Sequence, residues 1–348
     1  MTLEEYNRGS GQLVNKQKSV VFFSSNCLPE TKQELVESLE IQIEAVGEWY
    51  LGLPTAVGVA GDGTFDYVAD RVRNFVSGWG DNTLSCAARE TLLKANAQAI
   101  PTYPMACFKL PPKVCKKIKS YISNYWWGSS IDNHKIHWQR WSLLTRSKAE
   151  GGMGFRDLPL FNKAMLGKQG WRLITRPNSL CSKVIKGKYY PHATFMTATR
   201  RKKTSQTWKA MLWGCEVLKK GLIKRIGQGS SVDVWEHNWI QGISSMKPRV
   251  RLPDASVTMV SELFVLNTRI WDEQLVRDTF IHIDAEKILR IRPGVRLSED
   301  VDAWSLERHG QYSVRSAYRL LKDEQISREE QQADGRGSSV VQSWWKRL

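Results

Sequence analysis

Residues 101–230 constrain this chain more than any other stretch. They hold 26 Lys/Arg against four acids, Asp132, Glu150, Asp157 and Glu216, a balance of +22 where the whole 348-residue chain is +16. Everything outside the stretch therefore sums to −6. Cations at that density are almost never buried unless paired, so the fold has to turn a broad basic face to solvent. Seven of the chain's 15 tryptophans (Trp126, Trp127, Trp138, Trp141, Trp171, Trp208, Trp213) lie in the same stretch. Taken singly, each indole reads as core and the lysines as a solvated face. Taken as a patch, aromatic faces among cations suit bases stacked along a tracked backbone. Clustered Lys/Arg also neutralise phosphates and release their condensed counterions. For the patch as a whole, nucleic acid is the better reading.

The remaining composition narrows the class. At 41% hydrophobic and 25% charged the chain is globular in type and long enough for two or three domains. No apolar run approaches the roughly 20 residues of a membrane span, and the N-terminal residues lack the pattern of a secretory signal. The expected location is nuclear or cytoplasmic, not secreted. Cys27, Cys86, Cys107, Cys115, Cys181 and Cys215 are scattered without a CxxC pair and read as free thiols.

In chain order, Val20, Val21, Phe22, Phe23 and Ser24 read as a buried strand. Residues 31–46, with Leu35 and Leu39 at helical spacing, read as a helix, and residues 49–54 as a strand ended by Pro54. Phe65, Val68, Val72, Phe75, Val76 and Trp79 make one apolar stripe of a helix. A second helix spans about 84–100. Pro111 and Pro112 open a third, with Val114, Ile118, Tyr121, Ile122 and Tyr125 on one face and Lys113, Lys116 and Lys117 opposite. Ile136 and Trp138 alternate like a strand. A turn at residues 151–154 precedes a helix over about 158–175 ending at Pro177, and Ser205 suits the cap of another. Ile226, Gly227 and Gly229, with Val232, Val234 and Trp235, suggest a hairpin, as do residues 304–314 around Gly310. A helix follows from about Ser316, and residues 325–339 read as a flexible linker. The composition shifts near Met246: residues 248–348 carry 16 basic and 16 acidic residues.

No specific catalytic constellation is present. His134, His137, His192 and His237 lack a second cluster that would complete a tetrahedral metal set. The glycine-rich turn at 151–154 lacks the Gly-Lys-Ser/Thr ending of a phosphate loop. Asp62, Asp66 and Asp70 share a helix face beside an apolar stripe and read as solvated. Tyr67 to Asp70 has the outline of a polymerase Tyr-x-Asp-Asp box, but Arg71 stands where its second aspartate belongs.

The order of motifs resembles that of plant non-LTR (LINE-type) retrotransposon reverse transcriptases, from just after the catalytic box. The matching residues begin with Ser10, Gly11, Asn15, Lys18, Ser19, Phe23 and Ser24, then Tyr50 through Pro54. Arg71, Trp79, Leu84, Ser85, Ile100 through Tyr103, Leu110 and Pro111 follow. Ile136, His137, Trp138, Gly151 through Phe155, Phe161, Asn162, Trp171, Arg172, Lys188, Tyr189 and Ile226 through Gly229 continue the series. It closes with Trp304, Gly310 and Tyr312 through Tyr318. Two positions depart: Lys224 stands where the family usually has Trp, and His237 where it usually has Asp.

The resemblance implies an α+β fold, with a partial palm sheet, a helical thumb, and mixed segments with short hairpins. It implies the end of a palm at 1–60, a thumb at 61–130, a basic connection at 131–247 and the start of a zinc-binding region at 248–348. It also implies an RNA-directed DNA polymerase using two metal ions held by palm aspartates, with zinc ligands in a further segment. This sequence contains neither set, so no catalytic residue, metal ligand or cofactor is assigned to it. Lys18 matches the lysine of palm motif D, and Tyr50, Leu51 and Gly52 match the primer grip. The expected nucleic-acid contacts add Lys113, Lys116, Lys117, Trp138, Arg140, Lys168, Arg172, Lys186, Lys188, Arg200, Arg201, Lys202 and Lys203. The expected partner is RNA, DNA or a hybrid duplex, with no membrane. Three readings stay open: a polymerase segment that binds without synthesising, a domesticated RNA- or protein-interaction module, and a poorly folding remnant.

Overall fold

Side chains that accept from unpaired amides set where helices begin. Ser85, Asp157, Ser179 and Ser205 each precede a helix and accept from the amide three residues on, those of Ala88, Leu160, Ser182 and Trp208. Pro29 and Pro112 open two more, where a missing N–H costs nothing. The computed structural model describes residues 3–21, 23, 27–41, 49–50, 52–54, 63–78, 84–128, 135–200, 204–242, 246–253, 256–266, 268–294 and 299–334. Its fold is α+β, dominated by helices. In order these are α1 (Leu3–Ser10), α2 (Pro29–Leu39), β1 (Trp49–Tyr50), β2 (Leu53–Pro54), α3 (Asp66–Ser77), α4 (Cys86–Leu92), α5 (Thr102–Cys107) and α6 (Pro112–Trp127). Then come α7 (Trp141–Leu144), α8 (Leu158–Thr175), α9 (Leu180–Tyr189), α10 (Gln206–Leu218), β3 (Leu222–Arg225), α11 (Glu273–Thr279), α12 (His282–Leu289), β4 (Val301–Trp304) and α13 (Val314–Asp334). Among the described residues no helix is long and apolar enough to cross a membrane.

Two compact units divide the chain, Met1–Thr64 and Phe65–Leu348. In the first, β1 and β2 form a tight hairpin turning at Gly52, whose φ of 76° is open to glycine without strain. The single strand expected over 49–54 is therefore two. α2 ends earlier than expected, because Glu40 turns left-handed (φ 53°), and none of the helix's residues is buried. The strand expected at 20–24 is not formed in its described residues: Val20 is irregular and Val21 makes one isolated bridge.

In the second unit α3 and α6 pack together, burying Val68, Val72 and Val76 against a partner face that buries Val114, Ile118 and Ile122. Helix α8 is the hub, touching α5, α6, α9, α10 and α13. It approaches α10 at Gly214, where a Cβ would lie 2.6 Å from the Gly167 nitrogen. Asn162, 1% exposed, ties α8 to the end of α5. Its Nδ2 donates to the carbonyls of Met105 (2.8 Å) and Phe108 (2.9 Å), and its Oδ1 accepts from the Leu110 amide at 2.9 Å. One core joins Trp171, Trp208, Val217 and Leu218 to Trp304, Tyr312, Ala317 and Leu321. A second takes Ile226, Val234, Trp239, Ile240, Val260, Leu263, Phe280 and Ile288. Both cores draw residues from either side of the composition shift at Met246.

Neither expected hairpin in this unit exists. β3 pairs antiparallel with the distant β4, Leu222 opposite Trp304 and Arg225 opposite Val301. The turn at Gly310 does close, but Val314 after it begins α13. The residues after β3 wrap a carboxylate instead of turning back. Asp300 Oδ1 accepts from the amides of Gly227 (2.7 Å) and Gly229 (2.8 Å), and Oδ2 from the amide and hydroxyl of Ser231 at 3.0 and 2.9 Å. Ile136 and Trp138 lie in irregular, exposed backbone, not a strand. α13 runs on to Asp334, through much of the stretch expected to be a linker.

Candidate nucleic-acid interface

On α6 the apolar face is buried, which forces Lys113, Lys116 and Lys119 out to solvent. Lys117 sits at the margin and pairs with Asp66 at 3.1 Å, so its charge is partly committed. Lys116 and Lys119 line a cleft of about 230 Å³ with Trp141, Arg156 and the α8 cap Asp157. Lys168 and Arg172 stand one turn apart on the exposed face of α8, Arg172 also donating to Gln169 Oε1 at 3.3 Å. Lys186 and Lys188 are exposed on α9, the latter with its ammonium 5.6 Å from the Tyr189 ring centre. Arg140 is exposed just before α7, and Arg200 is exposed after α9. Lys18 is exposed in a turn closed by Asn15, and Tyr50 and Gly52 form the hairpin of the first unit. Leu51, Arg201, Lys202 and Lys203 lie outside the described residues.

The tryptophans divide differently from the patch reading. Trp171 and Trp208 are core, with Trp208 stacked on Tyr189 at 4.7 Å between ring centres and on Tyr190 at 5.5 Å. Trp126 and Trp141 pack on buried Phe155, and Trp213 is covered by the ammonium groups of Lys109 (4.4 Å) and Lys163 (5.4 Å). Of the seven, Trp138 alone is exposed, at 74%, and could stack on a base. His137 beside it is 6.0 Å from the Trp127 ring centre and nearly parallel to it. The indoles of this stretch are chiefly what holds the cations in place, because large aromatic surface is worth more inside than out.

A larger cleft, about 730 Å³, opens between α8, α9 and β3. Its walls include Tyr190, Phe195 and Ile223, and its polar groups include Lys186, Lys219, Lys224 and His237. Lys219 and His237 are not among the binding residues expected from sequence; only proximity in the fold assembles them. Lys224 and His237, the two positions that depart from the resemblance, meet here. Lys224 pairs across the sheet with Asp302 at 2.8 Å. His237 Nδ1 accepts from the Asp233 amide at 2.9 Å, so the neutral ring carries its proton on Nε2 as a donor. Burial pushes the thiols of Cys115 and Cys215 up to about 11, which leaves neither poised as a nucleophile.

No family model matches the chain. Two proteins of Arabidopsis thaliana are similar to it. The first, "Uncharacterized mitochondrial protein AtMg00310", is 38% identical over 151 residues, 43% of this chain and 98% of that protein. The second, "Putative ribonuclease H protein At1g65750", is 30% identical over 280 residues, 76% of this chain. Similarity over nearly the full length of the first shows that the chain belongs to the family of AtMg00310. It spans 44% of the length of the ribonuclease H-named relative.

Proposed function

We propose that this chain is a segment of a plant transposon-related protein, of the LINE-type reverse transcriptase kind, that binds nucleic acid without carrying the polymerase centre. The observation that supports the reading best is the fold's treatment of residues 101–230. All their tryptophans but Trp138 are buried or partly buried, while Lys113, Lys116, Lys168, Arg172, Lys186, Lys188 and Arg200 stay exposed. The motif order of the resemblance and the name of the ribonuclease H relative favour the same partner class. The two metal ions of a polymerase need converging carboxylates. Among the described residues no three His, Cys, Asp or Glu side chains come together in a way that could hold a metal ion. The described residues therefore do not fit those metals, and no chemical step is derived through them.

The chain's role in this reading is to hold a sugar–phosphate backbone, with Trp138 available to stack on an unpaired base. The test compares the full chain with a Lys113→Ala, Lys116→Ala, Lys168→Ala, Arg172→Ala variant on primer–template hybrid, duplex and single strands. The expected outcome is a preference for hybrid, as a thumb would have. The variant should lower the salt slope by about 0.7–0.9 for each phosphate it no longer neutralises. Equal affinity of variant and wild type would refute this assignment of the face.

A further inference from the structure

We propose that a second site for a phosphodiester strand lies outside the basic face, in an arginine-lined cleft at the β3–β4 sheet. The cleft is about 550 Å³ and shares Ile223 and Lys224 with the larger one. Arg225, Lys287, Arg290, Arg292 and Arg308 line it with Lys224, and Glu307 is the one acid there among the described residues. The proposal rests on the nucleic-acid reading above and adds a site which that reading does not contain.

Most of these cations come from residues 248–348, where basic and acidic residues balance and the sequence shows no field. The fold breaks that balance by committing the acids elsewhere. Asp300 holds the loop at 227–231, and Asp302 holds Lys224. Glu273 and Glu286 both pair with Arg277, each at 2.8 Å. Asp284 accepts from the Arg249 amide at 2.8 Å, and Glu324 pairs with Lys220. Glu307, the acid within the cleft, accepts from Ser313 Oγ at 2.5 Å. On the cleft itself the cations outnumber that one acid. Arg225, Arg290, Arg292 and Arg308 are exposed and make no ion pair with any described residue. They arrive from the end of β3, the residues after α12 and the turn after β4, separated by up to 83 positions in sequence.

Four unpaired guanidinium groups on one cleft repel one another, and an anion bound among them relieves that repulsion. A guanidinium presents a planar fork that matches two phosphate oxygens at once, which an ammonium cannot do. The cleft falls within the roughly 300–1,000 Å³ of sites for small ligands, room for a nucleotide or two of one strand and not for a duplex.

The test uses the full chain and a labelled single-stranded oligoribonucleotide, with affinity measured by fluorescence anisotropy across a salt series. Three proteins are compared with wild type: Arg290→Ala/Arg308→Ala, Arg290→Lys/Arg308→Lys, and Lys113→Ala/Lys116→Ala. The alanine pair in the cleft is expected to weaken binding about tenfold. It should also lower the salt slope by about 1.4, two phosphates at roughly 0.7 each on a single strand. The lysine pair should restore the slope but only part of the affinity. If the cleft variants keep wild-type affinity and slope while the α6 variant is impaired in both, the cleft proposal is overturned and the basic face stands. Absence of binding by wild type overturns both.

Discussion

Asp300 carries a disproportionate load for one side chain. Burial raises its pKa, but the amides of Ser231, Gly227 and Gly229 and the Ser231 hydroxyl together pull it below the ordinary 3.8. A carboxylate depressed in the folded state contributes stability above its unfolded value, and that contribution is lost as pH falls through the folded one. The wild-type chain should therefore lose stability on acidification below about pH 4. Asp300→Asn, which points a donor at amides that are themselves donors, should lose about 1–3 kcal/mol at neutral pH. It should also show a shallower acid dependence. Denaturant melts of both proteins at several pH values check this, and parallel acid profiles would contradict it. Asn162 is a second such residue. Asn162→Leu strands two carbonyls and one amide, all buried, and should lower stability by about 2–4 kcal/mol in a urea titration. The sequence marks Asn162 as part of a motif, yet its three partners lie 52 to 57 positions away, beyond any local pattern.

At the scale of elements, what can be read from the sequence is what local chemistry decides. The helix at 158–175, the cap at Ser205 and the proline start of α6 all depend on residues within one turn of each other. Sheet pairing does not, and there sequence reading fails: β3 finds its partner some 80 positions on, so neighbouring glycines suggest hairpins that do not form. α13 reads as linker because its second half is polar all round. Its Glu, Gln and Arg are nonetheless good helix formers. Gln325 bonds Glu329 at 3.0 Å and Arg328 lies 3.7 Å from Glu324, each one turn apart. The packing of α8 on α10 gives a sharper prediction. Gly214→Ala would drive a methyl group against the Leu166–Gly167 backbone, which cannot step aside. Its thermal midpoint should fall by more than about 4 °C, equivalent to a loss of roughly 2 kcal/mol or more. The companion Gly187→Ala, with open space around it on α9, should be neutral or slightly stabilising.

For the whole molecule, net charge is legible in the sequence and its distribution is not. The sequence places the cations of residues 101–230 on one stretch, and the structure keeps most of the described ones at the surface. The tryptophans that accompany them are the interior that positions them, with Trp138 the exception. The arginines of residues 290–308 cannot be seen as a group from sequence, because acids beside them in the chain are bonded elsewhere in space. The measurement that bears most directly on the central claim is the affinity of the unmodified chain for nucleic acid as ionic strength is raised. At about 50 mM salt it should bind, and the logarithm of the association constant should fall linearly with the logarithm of salt concentration, with a slope of about −3 or steeper. That slope corresponds to about four or more neutralised phosphates. Binding that is absent at low salt, or indifferent to salt, would contradict a chain organised around a phosphate-gripping surface.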